Sequence, residues 1–118
     1  MSAKNTKTPG ESHSQVLNLK DSVAYQVGSI VSRTIVDKRG GTVTVFAFDE
    51  NQGLSEHKAP FDALLLVIEG ETDVTISGET SRLKEGEMII MPTNKPHALR
   101  AVTRFKMILI MIRGKLSQ

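Results

Sequence analysis

The chain has 118 residues, a formal charge of +2 from 15 basic and 13 acidic side chains, and no cysteine. That length suits one domain built on one core, and the missing thiols exclude disulfides, thiolate metal sites and cysteine nucleophiles. Aromatic residues make up only 4% and the basic residues are scattered, so the cationic stripe and stacking rings of a nucleic-acid binder are missing and no nucleic-acid partner is expected.

Residues 1–15 are polar, carry Pro9 and Gly10, and show no periodicity. They offer too little apolar surface to offset the entropy of ordering, so they are expected to form a flexible tail, with His13 a bystander in it. They also lack the apolar stretch of a secretory signal. The domain is expected over 16–118. Asn18–Tyr25 suits a turn of helix; from there on the pattern is short β segments divided by turn residues.

Ser29–Asp37 and Thr42–Asp49 are rich in Ile, Val and Thr, with Lys38-Arg39-Gly40-Gly41 between them as a hairpin signal. A strand starting near Ser55 is interrupted by Pro60 and resumes through Asp62–Glu69. Gly70 turns the chain into Thr72–Ser77, Gly78-Glu79 into Thr80–Lys84, and Glu85-Gly86-Glu87 into Met88–Met91. The loop Pro92–Pro96 precedes His97–Thr103, and Phe105–Ile112 closes the domain. About eight or nine strands joined by short turns predict an all-β sandwich or barrel.

Two strands are apolar on both faces. Ala63, Leu65 and Val67 oppose Leu64, Leu66 and Ile68, and Met107, Leu109 and Met111 oppose Ile108, Ile110 and Ile112. Both faces of such a strand must be covered. With little spare chain to do it, the second face is expected to meet another subunit in a homodimer. Neither apolar run approaches the roughly 20 residues of a spanning helix, so no membrane contact is expected and a cytoplasmic location is.

The chemistry concentrates on two histidines. His57 sits in GLSEHKAPFDALLLVIEGE and His97 in GEMIIMPTNKPHAL. These frames resemble the two motifs of the cupin superfamily, G-x5-H-x-H-x3–4-E-x6-G and G-x5-P-x-G-x2-H-x3-N. In the first, His57 holds the first histidine position and Gly70 the terminal glycine, while Ala59 and Ala63 stand at the second histidine and the glutamate. Asn51 occupies the leading glycine position, with Gly53 two residues later. In the second, Gly86, Pro92 and His97 match in register, Asn94 replaces the internal glycine and Ala101 the final asparagine. The resemblance covers about Gly53 to Ala101. It implies a double-stranded β-helix, or jelly-roll barrel, of the small conserved-barrel type, often dimeric, whose full four-ligand members hold a divalent metal inside the barrel.

Two of those four positions are kept here. A mononuclear site takes three or four protein ligands for most divalent ions, so Zn, Mn, Fe or Ni at His57 and His97 would be held weakly. Asp62 becomes a third donor only if Pro60 shifts the parity of its strand. Met88 and Met91 offer thioethers or filler, and with Phe46 and Phe48 are expected to line an apolar pocket. Phe61 is a further wall candidate, and Tyr25 is read as structural. Arg100, Arg104 and Lys106 read as a solvated face or an anion contact.

The favoured function is a small-molecule-binding protein with a reduced metal site. One alternative is an enzyme (isomerase, dioxygenase or decarboxylase) using a weakly held metal or the two imidazoles as a proton-transfer pair. Another is a structural or regulatory subunit that binds a second protein. The bland alternative for the histidines is that His97 caps a turn after Pro96 and His57 is merely satisfied at the barrel mouth.

Overall fold

The computed structural model describes residues 14–113. The expectation of a flexible tail therefore falls, apart from exposed Ser14 and Gln15, outside the described residues, as does His13. Nine strands follow a single 3-10 turn at Lys20–Ser22: β1 (Ile30–Lys38), β2 (Gly41–Phe48), β3 (Gly53–His57), β4 (Asp62–Glu69), β5 (Glu71–Ile76), β6 (Glu79–Lys84), β7 (Met88–Met91), β8 (His97–Ala101) and β9 (Phe105–Ile112). They form two antiparallel sheets, a five-stranded one ordered β1-β2-β9-β4-β7 and a four-stranded one ordered β3-β8-β5-β6. This is the expected double-stranded β-helix, all-β and closed by short turns.

The core lies between the sheets. Phe48, Leu65, Val67, Phe105 and Met107 come from the larger sheet, and Val74, Leu83 and Leu99 from the smaller, all buried in one cluster. Alternation puts them there, since residues two apart on a strand share a face. Gly70 makes the β4–β5 corner possible. Its φ is +79°, and a Cβ at that position would run into the Arg104 carbonyl and lie 2.8 Å from Cα of Phe105. Only glycine combines that backbone angle with so close an approach.

The second face of the larger sheet is partly covered by the chain itself. Val23 packs with Val45 and Ala47, joined by Leu19, Tyr25, Val31, Ile35 and Ile68. Polar contacts clasp this segment down. The Tyr25 hydroxyl donates to Glu69 Oε1 at 2.8 Å, Lys106 Nζ donates to the Lys20 carbonyl, and the Tyr25 ring lies under both Lys106, 4.9 Å away, and Arg104. Burial, and then the Glu69 carboxylate, raise the Tyr25 pKa well above its ordinary value. The structural role expected of Tyr25 thus has partners that sequence reading did not assign. The little spare chain expected for covering is thus put to that use over residues 19–25. Farther along the same face cover runs out: Met88 is 47% exposed, Ile90 53% and Ile112 37%.

Candidate ligand-binding site

His57 ends β3 and His97 begins β8, and the two are direct partners across the antiparallel ladder. Strand parity alone would not aim both inward. Leu54 pairs with Leu99 and His57 with His97, so three steps on β3 match two on β8, a bulge between Leu54 and His57. The extra residue reverses the parity of the strand beyond it, which brings His57 to the inward side that Leu54 occupies. His97 needs no such device, since it alternates inward with Leu99 and Ala101.

The rings meet edge to face with centroids 4.3 Å apart. His57 Nδ1 lies 2.9 Å from the Ser55 carbonyl and His97 Nδ1 3.1 Å from the Lys95 carbonyl. A carbonyl only accepts, so each Nδ1 carries the hydrogen and donates it. A neutral imidazole has one N–H, which leaves both Nε2 atoms as lone pairs, and these face each other at 3.2 Å. The pair is one hydrogen short: it is satisfied when a shared proton, another cation or a donor from a bound molecule lies at the convergence point. Opposing that, burial lowers the His97 pKa below its ordinary value, with the neighbouring His57 adding to the effect and the bond to the Lys95 carbonyl working against it.

The pair opens on a cavity of about 280 Å3. Its walls are mainly apolar, among them Leu54, Phe61, Ala63, Leu99, Leu109 and Met111. Ala59 also lines it, although β3 has ended and it sits in the connecting loop. Among the described residues, the ionisable side chains on the lining are His57, His97 and Lys58. Leu54, Lys58, Leu99 and Leu109 were not singled out from sequence; the alternation in β9 carried a signal for Leu109, but nothing local marked Lys58.

Of the other residues expected at the site, Met91 is on the lining and buried. Met88 is not, because three steps along β7 reverse the face: Met91 pairs with inward Ala63 and Met88 with outward Leu66. Phe46 and Phe48 face inward but are not on the cavity lining. Phe48 pairs with Phe105 and stacks on it at 4.7 Å, and Phe46 pairs with Met107 and packs against Phe48. Asp62 is corrected too. Pro60 does not shift its parity, so it alternates outward from Ala63, and its Oδ1 accepts the backbone N–H and hydroxyl of Thr93, both at 2.9 Å. Those bonds, the backbone one first, hold its pKa below the usual carboxylate value. The three basic residues late in the chain do not gather into an anion site: Arg100 donates to Asn51, Arg104 pairs with Asp49 at 2.8 Å, and Lys106 belongs to the Tyr25 clasp.

The donor set does not complete the metal centre that the resemblance implies. Among the described residues no three His, Asp or Glu side chains converge, and the two remaining ligand positions are the methyl groups of Ala59 and Ala63 on the cavity wall. Zn, Mn, Fe or Ni would find two protein nitrogens there and no third protein ligand. The two glycine replacements, in contrast, preserve the family backbone: Asn51 has φ 70° and Asn94 φ 60°. Asparagine is among the few residues that tolerate this left-handed region, so the motif registration holds where its letters differ.

The comparisons with known proteins agree with this geometry. The model of the cupin domain family matches residues 44–113. A conserved protein of unknown function from Streptococcus pyogenes is 34% identical, with 96% of this chain and 99% of that one covered and a TM-score of 0.84. A cupin 2 conserved barrel domain protein from Leptotrichia buccalis is 39% identical over 82% of this chain, TM-score 0.80, though the match spans only 47% of that protein. A cupin superfamily protein from Desulfitobacterium hafniense, at 21% identity, shares the fold with a TM-score of 0.83 over 92% of this chain and 100% of its own. Among curated proteins none matches. No helix among the described residues is long and apolar enough to cross a membrane. A family match over more than half the sequence, together with a relative of such identity along nearly its whole length, makes this chain a member of the cupin superfamily.

Proposed function

We propose that this cupin binds a small, largely apolar organic molecule in the barrel without a complete metal centre of its own. The observation that carries the reading is the 280 Å3 cavity whose convergent polar feature is an unsatisfied imidazole pair. Apolar walls with a few placed polar groups are the usual anatomy of a small-molecule site, and the volume sits just below the common range of about 300–1,000 Å3. Native mass spectrometry and elemental analysis of the purified protein test it. An organic adduct lost on His57→Gln, with metal well below one ion per chain, is the expected result. A stoichiometric divalent ion that survives dialysis would overturn the metal-free part of the reading.

A second reading is favoured by the convergence of the two ring nitrogens. Two imidazoles whose lone pairs meet at one point can take a proton from a bound molecule and return it, the task of a general acid–base pair. Solvent-deuterium incorporation into the bound molecule separates this from simple binding, since a carrier leaves its C–H bonds unexchanged.

We also propose that the uncovered part of the larger sheet's outer face pairs with a second copy of the chain. Met88, Ile90 and Ile112 expose apolar area there beside Leu64, Leu66 and Ile110, and a two-fold contact presents the same patch from both sides. Sedimentation should give a dimer for the parent protein and a monomer for Ile90→Lys with Ile112→Lys. A monomeric parent at micromolar concentration sinks the proposal.

A further inference from the structure

On the small-molecule reading of the cavity, a second polar group inside the barrel bears on the ligand's chemistry. Thr42 is 7% exposed, and its Oγ1 has no hydrogen-bond partner among the described residues. β2 runs against β9 without a break in register, Thr42 opposite Met111, Thr44 opposite Leu109 and Phe46 opposite Met107. Residues two apart on a strand share a face, and Phe46 and Phe48 pack in the inner cluster, so Thr42 faces the lumen with them. β4 continues the same rung, with Ala63 between Met111 on β9 and Met91 on β7. Thr42, Met111, Ala63 and Met91 thus run side by side across four strands of the larger sheet. The cavity reaches the last three. The hydroxyl stands one strand beyond.

A buried hydroxyl without a partner is a standing cost to the fold, and valine would fill the same space without it. The other buried threonine, Thr72, has a structural use for its hydroxyl, which donates to the Arg100 carbonyl. Departures from full satisfaction collect at functional sites. Met111 is an adaptable neighbour for Thr42: its unbranched thioether, with three rotatable bonds, can swing aside while the backbone stays in place. The far end of a ligand then meets Thr42 Oγ1, while its near end lies at His57 and His97 on the opposite sheet. A hydroxyl both donates and accepts, so it suits the ring nitrogens and the threonine whichever side bears the hydrogen. We infer that the ligand is polar at both ends and apolar between, and that Thr42 is the specificity-determining contact for the far end. A molecule with a hydroxyl there is preferred to one that ends in a methyl.

The test pairs straight-chain diols bearing a hydroxyl at each end, from butane-1,4-diol to octane-1,8-diol, with the matching alcohols from butan-1-ol to octan-1-ol. All are titrated calorimetrically into the full chain. The members of a pair differ only in the far hydroxyl, so the ratio of their affinities reads what that end meets. At the length that spans the lumen the diol should bind at least as tightly as the alcohol, and Thr42→Val should shift the ratio at least tenfold against the diol. Thr42→Ser keeps the hydroxyl and should keep the preference. A thermal melt of the valine variant no lower than that of the parent separates a lost contact from a damaged fold. A ratio that valine leaves unchanged at every length overturns the role of Thr42 while leaving the cavity as a ligand site. So does a crystal of the diol complex in which Thr42 Oγ1 holds only an ordered water. Failure of diols and alcohols alike, at every length, removes the small-molecule reading as well.

Discussion

The two sheets deal with their outer faces in opposite ways. In the four-stranded sheet, β5 sends Thr72, Val74 and Ile76 inward and Glu71, Asp73 and Thr75 outward, and Asp73 is held by a two-pronged contact from Arg82 across the ladder. Its outer face is finished as a solvated surface. The five-stranded sheet is apolar on both sides along β4 and β9, and its outer side is covered at one end by residues 19–25 and left open around Ile90. One sheet alternates as an antiparallel sheet with a wet face should; the other carries the composition of a sheet meant to be covered on both sides. The difference separates what closes the barrel from what the barrel offers to other molecules.

That contrast can be broken first at the core. Leu65 is fully buried on the inner face of β4, and Leu65→Ala should cost about 2–5 kcal/mol of stability, measured by urea unfolding. Leu64→Ala, on the half-buried outer side of the same strand, should cost clearly less. Equal losses would mean that the outer face is as tightly packed as the inner one.

A finer comparison uses two buried threonines, one in each sheet. Thr72 Oγ1 donates to the Arg100 carbonyl at 2.9 Å, whereas Thr42 Oγ1 is the buried side-chain oxygen without a partner among the described residues. Replacing each by isosteric valine should therefore act in opposite directions. Thr72→Val should lose about 1 kcal/mol and Thr42→Val should gain a similar amount, because an unsatisfied buried hydroxyl costs more than a methyl. Thermal melts of the two variants side by side check the sign.

The smallest effect concerns pH. His97 has its folded pKa below the ordinary value of 6.5, so the unfolded chain binds its proton more readily than the folded one. The sign follows directly: stability is highest above about 6.5 and declines as pH falls from there through the folded pKa. Asp49, whose pKa is lowered to about 2 mainly by the Gly28 N–H and Arg104, titrates far below this window. Between pH 7.5 and 5.5 the parent protein should lose more stability than His97→Gln, and parallel curves would show that the ring gains no proton on unfolding in this range.

The contrast between the sheets also explains what could be read in advance. Strand positions were legible almost residue by residue: Phe105–Ile112 and Met88–Met91 were expected where they stand, because glycines, prolines and period-two alternation are local signals. The two-faced composition of β4 and β9 was equally plain. Residues 19–25 were not seen as cover, since Leu19, Val23 and Tyr25 follow no strand period and are held by Glu69 and Lys106, far along the chain. At the site, Met88 was misplaced for want of the parity that pairing of β7 with β4 supplies, whereas Asp62 keeps the outward parity expected of it in the absence of a shift at Pro60. The closeness of His57 and His97 was expected from their motif frames, but the bulge that turns His57 inward is a property of its pairing with β8 and leaves no mark on residues 54–57.

That bulge has an evolutionary consequence. Deleting one residue between Leu54 and His57 would let β3 zip evenly against β8 and leave the histidine two steps beyond Leu54, with its imidazole still facing the lumen. A lineage could lose that codon without silencing the interior. Only an even pairing of the present, longer strand would turn the ring out to water.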